Sequence, residues 1–322
     1  MGPGRFCQTA AVPALTPPPR PPVIAVVGAT ATGKSDLGLD LAQRLDGEIV
    51  NADASQLYRG MDIGTAKTPP EQRLGIAHHQ LDVLEATDEA SVAAYQQHGR
   101  AALAAIRQRG RVPVVVGGSG LYLRALLDDL DIPPTDAAVR ARWESDLVER
   151  GAAALFAVLR DLDPRAAERI EPRNGRRIVR ALEVIELTGR PFSASLPRRQ
   201  HVVPTVLIGL RADRTVLDDR IATRVARMWR EGLVAEVRAL AGIGLREGRT
   251  ASRALGYAQV LRHLGGDLTE EAARQETIAA TRRFARRQQS WFGPDPRILW
   301  LEHDAPDLAD GAVEAATRRY RA

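Results

Sequence analysis

The chain has 322 residues, of which 44% are hydrophobic and 26% are charged. This is the balance of a soluble globular protein with one large or two modest domains, and it excludes a wholly disordered chain. No apolar run approaches the ~20 residues that span a bilayer, so we expect no membrane contact. A single cysteine, Cys7, excludes an internal disulfide bond and a cysteine-built zinc site, and it favours a cytoplasmic location.

The formal net charge is +5, and all but two of the 45 basic residues are arginines. A GC-rich genome accounts for this usage more simply than function does, although guanidinium groups also bind phosphates in a bidentate geometry. The two lysines, Lys34 and Lys67, therefore stand out as positions where arginine was not used.

Prolines dominate the start of the chain, with six of them among residues 13–22. They are incompatible with a helix or a central strand, so we predict a disordered tail over residues 1–22. The segment lacks the charged start and apolar core of a secretory signal. The folded part is therefore expected to begin at Val23.

From Val23 onward, apolar runs typical of strands alternate with helical spacing. The predicted strands are Val23–Val27, Glu48–Ala52 and Val112–Val116, and the predicted helices start near Lys34 and span residues 89–109. Such alternation is typical of a parallel sheet with helices on both faces.

Between residues 129 and 200 the pattern changes to helices without a convincing strand, which predicts an all-helical insertion domain. Val206–Leu210 then has the pattern of a strand that returns to the first sheet, and Arg297–Leu301 that of a last strand. The predicted fold class is α/β, with the parallel-sheet core over residues 23–128 and 201–322.

A phosphate-binding loop follows the first predicted strand. The pattern G-x-x-x-x-G-K-[ST] is matched by Gly28, Ala29, Thr30, Ala31, Thr32, Gly33, Lys34 and Ser35. In such loops backbone N–H groups surround phosphate oxygens, the lysine adds a positive charge and the serine can bind Mg²⁺. The loop predicts a P-loop NTPase-like core that binds a diphosphate or triphosphate with magnesium.

A carboxylate follows the second predicted strand. Asp53 lies at the sheet edge that carries the phosphate loop, whereas the strand Val112–Val116 lacks the terminal aspartate that ATPases use for magnesium. Asp53 could accept a proton from a nucleophile, hold a metal through water, or simply form a turn. Geometry alone does not separate these roles.

Eight segments, taken together, resemble the bacterial tRNA dimethylallyltransferase family. They are GATATGKS, DASQLYRGMDIGTAK, HHQLDV, GGSGLYLRAL, PRNGRRIVRALEV, DDRIATRV, SRALGYAQ and TRRFARRQQSWF, in this order between Val23 and Phe292. The resemblance implies transfer of a dimethylallyl group from dimethylallyl diphosphate to N6 of adenosine 37. This adenosine lies next to the anticodon of tRNAs that read codons beginning with U, and the product is i6A.

The resemblance also assigns roles to residues. It implies that the phosphate loop holds the donor diphosphate with Mg²⁺ on Ser35, that Asp53 is the general base, and that Ser119 and Arg220 complete the catalytic site. It further implies tRNA contacts at Asp53, Ala54, Ser55, Gln56, Ser119, Arg140, Arg176, Arg177, Ile178, Val179, Arg180, Arg253, Ala254, Leu255, Gly256, Tyr257, Arg286, Arg287 and Gln288. We expect a monomer.

Two arginine clusters have helical spacing. They comprise Arg173, Arg176, Arg177 and Arg180, and Arg282, Arg283, Arg286 and Arg287. Each alone would fit a solvated helix face, but two clusters beside a phosphate-transfer core favour binding to a nucleic-acid backbone.

Some residues depart from the pattern or invite a second interpretation. Ala54 stands where the family often has a serine, although Ser55 is adjacent. For His78 and His79 we favour a substrate-loop or structural role over a metal pair, because neighbours in a strand face opposite ways. For Tyr58 and Trp143 we favour packing over base stacking, and for Lys67 we expect a contact with phosphate.

Three other functions fit parts of the pattern. A P-loop nucleotide or metabolite kinase would use Asp53 to activate a hydroxyl, but it leaves the arginine-rich remainder without a role. An isopentenyltransferase that acts on free AMP or ADP would share the whole catalytic core. A non-catalytic RNA-binding protein would not depend on Asp53.

Overall fold

Six parallel strands form one sheet in the computed structural model, which describes residues 21–195 and 199–321. The strand order is β3-β2-β4-β1-β5-β6, and every neighbouring pair is parallel. The strands are β1 (Val23–Gly28), β2 (Gly47–Asn51), β3 (His78–His79), β4 (Val112–Val116), β5 (Thr205–Arg211) and β6 (Ile298–Glu302). The predicted tail lies outside the described residues except for its last two.

Helices surround the sheet and fill the region between β4 and β5. They are α1 (Lys34–Arg44), α2 (Val92–Gln108), α3 (Gly120–Leu127), α4 (Ala137–Leu162), α5 (Pro164–Ala167), α6 (Gly175–Thr188), α7 (Arg214–Arg230), α8 (Leu233–Ala241), α9 (Tyr257–Leu264), α10 (Glu270–Phe292) and α11 (Leu308–Arg321). Helix α4 breaks at Gly151, whose φ is 78° and ψ 163°. None of the helices in the described ranges combines the length and apolar character that a bilayer span needs.

Each face of the sheet is covered by its own hydrophobic core. On one face, Leu103 of α2 and Leu126 of α3 pack against the strands. On the other, Leu41 of α1 and Ala316 of α11 pack against Val26 and its neighbours. Burial of both faces explains why the strands read as continuous apolar runs rather than alternating ones.

The predicted parallel α/β fold is confirmed, and so are the returning strand β5 and the last strand β6. Strand β3 and helix α11 were not predicted. Strand β3 has only two residues, which is too short to show any period. Helix α11 meets the core largely through alanines such as Ala312 and Ala316, so its apolar stripe is weak in the sequence.

Helices α4, α5 and α6 lie in the segment predicted as an insertion and share a separate core, in which Leu155, Leu159, Ile178 and Leu182 are fully buried. The chain leaves the sheet and returns to it at one place. There Asp129 N–H donates to the Gln200 carbonyl at 2.8 Å, and Val202 N–H donates to the Leu127 carbonyl at 2.9 Å. The division of the chain into domains remains a prediction.

Candidate active site

The phosphate loop connects β1 to α1 at the middle of the sheet. Gly28 begins it with φ 139°, and a Cβ there would lie 2.6 Å from the carbonyl oxygen of Leu210, so only glycine fits. Ala31 has φ 66°, which is uncommon for a residue with a side chain. The Thr32 hydroxyl donates to the Ala29 carbonyl at 2.9 Å and closes the turn. The local geometry is that of a tight, internally bonded cradle.

The ammonium group of Lys34 points back into this cradle. Its Nζ donates to the carbonyl oxygen of Ala29 at 2.6 Å. Burial, and to a lesser extent the charge of Arg224, lower the pKa of Lys34 to about 7, while Asp53 opposes the shift. Burial disfavours the positive charge of Lys34, and an anion bound in the loop would stabilise it.

Two arginines of α7 reach the loop from the other side. Arg220 Nε donates to the Ala31 carbonyl at 2.8 Å. Arg224 approaches the Thr30 hydroxyl through Nη1 and the Thr65 carbonyl through Nη2, each at 3.4 Å. Burial lowers the pKa of the Arg224 guanidinium, and Asp53 opposes this.

Arg224 was not among the predicted site residues. The signal was present, since Arg224 follows Arg220 by four residues and therefore shares its helix face. It adds a second guanidinium beside the phosphate loop, which a diphosphate could bind.

Asp53 begins the loop after β2, and the Asn51 side chain fixes the backbone of Asp53 through two hydrogen bonds. Asp53 N–H donates to Asn51 Oδ1 at 2.9 Å, and Asn51 Nδ2 donates to the Asp53 carbonyl at 3.0 Å. The carboxylate Oδ1 accepts hydrogen bonds from the backbone N–H of Ser55 at 3.0 Å and from its hydroxyl at 2.6 Å. In the described part of the chain, Oδ2 accepts no hydrogen bond and is therefore available to a ligand.

Ser119 follows β4 and ties that strand end to the Asp53 loop. Its Oγ accepts a hydrogen bond from Ala54 N–H at 3.2 Å, and its own N–H donates to the Ala52 carbonyl at 3.2 Å. The structure thus brings Asp53 and Ser119, which are far apart in sequence, to one sheet edge.

Gln288 joins α10 to the phosphate loop. Its Oε1 accepts a hydrogen bond from Thr30 N–H at 2.8 Å, and its Nε2 donates to the Gly118 carbonyl at 2.9 Å. A Cβ at position 118 would lie 2.2 Å from Nε2, so glycine makes room for this bridge. Gln288 was predicted to contact tRNA, but its side chain is buried and holds two strand ends together instead.

One cavity of about 370 Å³ lies between the loop, the Asp53 turn, α7 and α10, which is within the usual size of a small-molecule site. Polar residues of its wall include Thr30, Asp53, Ser119 and Arg224, and apolar ones include Ile221, Val225, Met228, Leu255 and Phe284. The phosphate loop and the carboxylate therefore face the same space.

A second cavity of about 310 Å³ adjoins the first on the side of the helical insertion. The two share Ala54, Ser55, Arg253 and Ala254 in their walls. Arg176 of the insertion lines the second cavity only. The two cavities are therefore neighbours, and the second is a surface opening between the core and the insertion, since Arg176, Arg249 and Arg253 in its wall are exposed.

Exposed arginines surround this opening and continue along α10. Within residues 21–195 and 199–321, none of the following has an ion-pair partner: Arg173, Arg176, Arg177, Arg253, Arg283, Arg286 and Arg287. Unpaired guanidinium groups on one surface are the electrostatic signature of a phosphate-backbone partner.

Several residues predicted to bind tRNA have other roles. Ile178 and Val179 are buried in the core of the insertion, so their side chains pack rather than meet RNA. Arg140 and Arg180 both pair with the buried carboxylate of Glu183 at 2.8 Å. Burial would raise the pKa of Glu183, but the hydrogen bonds from these arginines hold it below its usual value.

The other residues predicted to contact tRNA include buried ones and ones that form the wall of the larger cavity. Tyr257 is buried, and its hydroxyl donates to Glu236 at 2.5 Å, which excludes a surface contact. Gly256 is buried with φ 87° at the start of α9, whereas Leu255 faces the larger cavity. Gln56 Nε2 donates to the Thr65 carbonyl at 3.2 Å and so fixes the cavity wall.

The expectation that Lys67 touches phosphate is wrong. Its side chain is only 2% exposed, and Nζ lies 2.6 Å from carboxylate oxygens of both Asp62 and Asp82. It also donates to the Tyr58 carbonyl at 2.9 Å, and Tyr58 itself is packed in the core. Lys67 therefore fixes the loop that follows Asp53.

The two histidines of β3 likewise have structural partners. His79 Nε2 lies 2.7 Å from the Glu48 carboxylate, and His78 Nδ1 lies 2.8 Å from the Ile76 carbonyl. Trp143 packs against the core of the insertion and donates to Glu186 at 2.9 Å. These contacts are those of packing residues.

The chain is similar in sequence to a known family and to proteins of several bacteria. The family described as IPP transferase matches residues 56–295. A tRNA dimethylallyltransferase of Thermobifida fusca is 62% identical over 295 residues, which cover 90% of this chain and 92% of that protein. One of Streptomyces avermitilis is 62% identical over 293 residues, covering 91% and 94%.

Solved structures give a similar result. The tRNA isopentenylpyrophosphate transferase of Bacillus halodurans is 35% identical with a TM-score of 0.68, over 93% of this chain and 98% of that one. A eukaryotic dimethylallyltransferase acting on tRNA is 26% identical with a TM-score of 0.75, over 92% and 77%.

Proposed function

The chain belongs to the IPP transferase family, and from this we propose that it is a tRNA dimethylallyltransferase. We propose that it transfers the dimethylallyl group of dimethylallyl diphosphate to N6 of adenosine 37. This adenosine lies next to the anticodon in tRNAs that read codons beginning with U, and the product is i6A. The observation that carries the proposal is the single cavity whose wall includes both Thr30 of the phosphate loop and Asp53.

The residues around the loop suit a diphosphate leaving group. Breaking the bond between an allylic carbon and diphosphate oxygen leaves negative charge on that oxygen, and preorganised donors stabilise it. Backbone N–H groups of the loop, the ammonium of Lys34 and the guanidinium groups of Arg220 and Arg224 supply such donors. Diphosphate departs with the electron pair of the broken bond.

Asp53 suits the other half of the reaction. The exocyclic amine forms a bond from N6 to the first carbon of the donor and must lose a proton. Asp53 Oδ2, which has no hydrogen-bond donor in the described residues, is placed to take it. Ser119 holds the Asp53 loop in place through the Ala54 N–H.

Magnesium fits the loop as a cofactor that binds with the donor. The Ser35 side chain is exposed at the start of α1, and its hydroxyl has no hydrogen-bond partner in the described ranges. The same ranges hold no group of three acidic, histidine or cysteine ligands. This suits Mg²⁺, which typically takes one or two protein oxygens and completes its shell with water and phosphate. Ser35 would hold the ion, which would neutralise diphosphate charge.

tRNA would approach through the opening lined by Arg176 and Arg253. A base in the anticodon loop is already single-stranded, so its extrusion toward Asp53 costs only a few kcal/mol. The unpaired arginines of α6 and α10 would bind the loop backbone on either side. We propose that the protein acts as a monomer and, because its substrate is tRNA, in the cytoplasm.

The test supplies four mixtures: labelled dimethylallyl diphosphate with tRNA, with an anticodon stem-loop, with AMP, and labelled ATP with tRNA. We expect label from the prenyl donor in tRNA and in the stem-loop, with i6A identified by mass after digestion. Prenylation of AMP but not of the stem-loop would favour the free-nucleotide enzyme. Phosphate transfer from ATP without prenylation would overturn the proposal in favour of a kinase.

A further inference from the structure

Two helices present matching stripes of side chains to the larger cavity. Helix α7 contributes Ile221, Val225 and Met228, and α10 contributes Thr277, Thr281 and Phe284. Both sets have the spacing i, i+4, i+7, which places each on one helix face. The cavity therefore has a lining of apolar and methyl-bearing side chains in addition to its polar wall.

The α7 side of the lining runs from the phosphate loop to a buried core. At one end, Arg220 and Arg224 of α7 contact the phosphate loop. Met228 lies one helical turn beyond Arg224, about 6 Å further along the axis. It is 7% exposed and packs in the core that contains Leu233 and Tyr257. Met228 therefore packs against buried residues on the side away from the phosphate loop.

Thr277 lies near the same core as Met228. A Cβ on Gly256, at the start of α9, would lie 3.9 Å from Thr277 Cγ2. Its hydroxyl donates to the Ala273 carbonyl at 2.8 Å, so the side chain is held in one position on its own helix. Thr277 is 2% exposed, so it and Met228 both lie against buried protein at this end of the cavity.

The chemistry of transfer directs the donor tail to this lining. In a displacement the incoming amine and the leaving oxygen lie roughly on opposite sides of the reacting carbon, so the hydrocarbon substituent projects sideways from that line. Thr30 of the phosphate loop, Asp53 and the stripes of α7 and α10 line the same cavity, so these stripes are available to a substituent that projects from the line. Apolar surface there is stabilised by contact with a hydrocarbon chain.

We propose that Met228, together with Thr277, closes the pocket for the donor's hydrocarbon tail and restricts transfer to a five-carbon chain. This inference rests on the proposed function and adds the residue that sets the length limit. The reaction with a longer donor is the same: the bond from N6 to carbon forms, the carbon–oxygen bond breaks, diphosphate leaves and Asp53 receives the proton.

The experiment compares kcat/KM for dimethylallyl and geranyl diphosphate, the ten-carbon homologue, with the full chain and tRNA. We expect the unaltered protein to discriminate strongly against geranyl diphosphate. Met228→Ala should raise the geranyl-to-dimethylallyl ratio by about tenfold or more, the usual worth of hydrocarbon fit in a pocket. The geranylated nucleoside is identified by its mass. Met228→Val, which removes less volume, should shift the ratio in the same direction and serves if the alanine variant does not fold.

Leu245→Ala provides the matched control, because Leu245 is fully buried in the same core as Met228 but does not line the cavity. It should lower the melting temperature while leaving the donor ratio unchanged. An unchanged ratio in both Met228 variants, with dimethylallyl transfer intact, would overturn the inference alone. A rise in KM for tRNA without a change in the donor ratio would assign the lining to the adenine base instead. If the unaltered protein transfers no dimethylallyl group, the proposed function fails and this inference fails with it.

Discussion

Ser55 donates two hydrogen bonds to one oxygen of Asp53, from its hydroxyl at 2.6 Å and from its backbone N–H at 3.0 Å. Both reach Oδ1, so the carboxylate cannot rotate freely and Oδ2 is left for a proton. The family pattern often has a serine at position 54, where this chain has alanine. In this structure the Ser55 hydroxyl supports Asp53, the proposed base.

Replacing the base itself should have the largest effect. We expect Asp53→Asn to lower kcat by ~10²- to 10⁴-fold, the usual worth of a general base, because the amide keeps the shape but cannot accept the proton. tRNA affinity should change little, since the opening is lined by arginines instead. Single-turnover prenylation and filter binding measure the two quantities. Full activity in this variant would assign proton transfer to another group.

Removing the supporting hydroxyl should have a smaller effect. We expect Ser55→Ala to lower kcat by roughly 10- to 150-fold, because a hydrogen bond to a charged group contributes roughly 1.5–3 kcal/mol. Ser55→Thr keeps the hydroxyl and should retain most of the activity. Equal loss in both variants would show that the size of the side chain, not its hydroxyl, matters.

Donor binding should weaken as the pH rises above 7. Lys34 has a pKa lowered to about 7, so it is charged below this pH and increasingly neutral above it. Binding of diphosphate restores the charge, and the dissociation constant should therefore rise by up to about tenfold per pH unit between pH 7 and 9. Calorimetry in buffers of different ionisation enthalpy should show proton uptake on binding. Lys34→Met should bind weakly without this pH dependence, and a flat profile in the unaltered protein would contradict the shift.

The arginines of α10 should contribute salt-dependent affinity for tRNA. Arg286 and Arg287 are exposed and have no ion-pair partner in the described ranges. Replacing both with alanine should reduce tRNA affinity and lower the slope of log K against log salt by about 1.4, since each single-strand phosphate contact contributes about 0.7. Donor affinity should change less than tRNA affinity, because only Arg287 of the pair lines the larger cavity, where it lies over the Phe284 ring.

Arg44 and Arg318 provide the matched control for this double substitution. They are also exposed, but they already pair with Asp310 and Glu314. Replacing both should leave the salt slope unaltered. A slope that falls equally in the two double variants would indicate an effect of net charge rather than of a binding surface.

Loss of the Gln288 bridge should affect both stability and donor binding. Gln288→Leu leaves the Thr30 N–H and the Gly118 carbonyl without their partner, which should cost about 1–3 kcal/mol of unfolding free energy. A less ordered loop should also raise the KM for the donor. Gln289→Leu changes an exposed neighbour and should leave both quantities unaltered. Urea unfolding and initial rates measure them.

Much of the fold follows from local pattern, because buried parallel strands are apolar throughout and the phosphate loop marks the end of β1. The same reasoning cannot find β3, which is held by pairing of His78 with Ile49 and His79 with Val50 rather than by its own composition. Nor does it show that β1 separates β4 from β5, since this order depends on contacts between distant parts of the chain.

The site was predictable where a residue's role depends on its neighbours in sequence, as for Lys34. It was not predictable where the role depends on a distant partner. Glu236 accepts hydrogen bonds from the N–H groups of Asp62, Ile63 and Gly64 and so shapes the cavity wall. Nothing near Glu236 in the sequence indicates this. Ile178 and Val179 fall within a segment that resembles a tRNA-binding one, but their helix turns them inward.

The crossing at Leu127–Asp129 and Gln200–Val202 has a consequence for how such proteins can vary. The two ends of the insertion are hydrogen-bonded neighbours. A loop of a few residues could therefore join them, and the entropic cost of closing such a loop is small. We therefore expect that the helical segment could be shortened, enlarged or replaced by that of a relative without altering the register of β4 and β5. Changes in which RNA is held can accumulate there while the chemistry stays fixed.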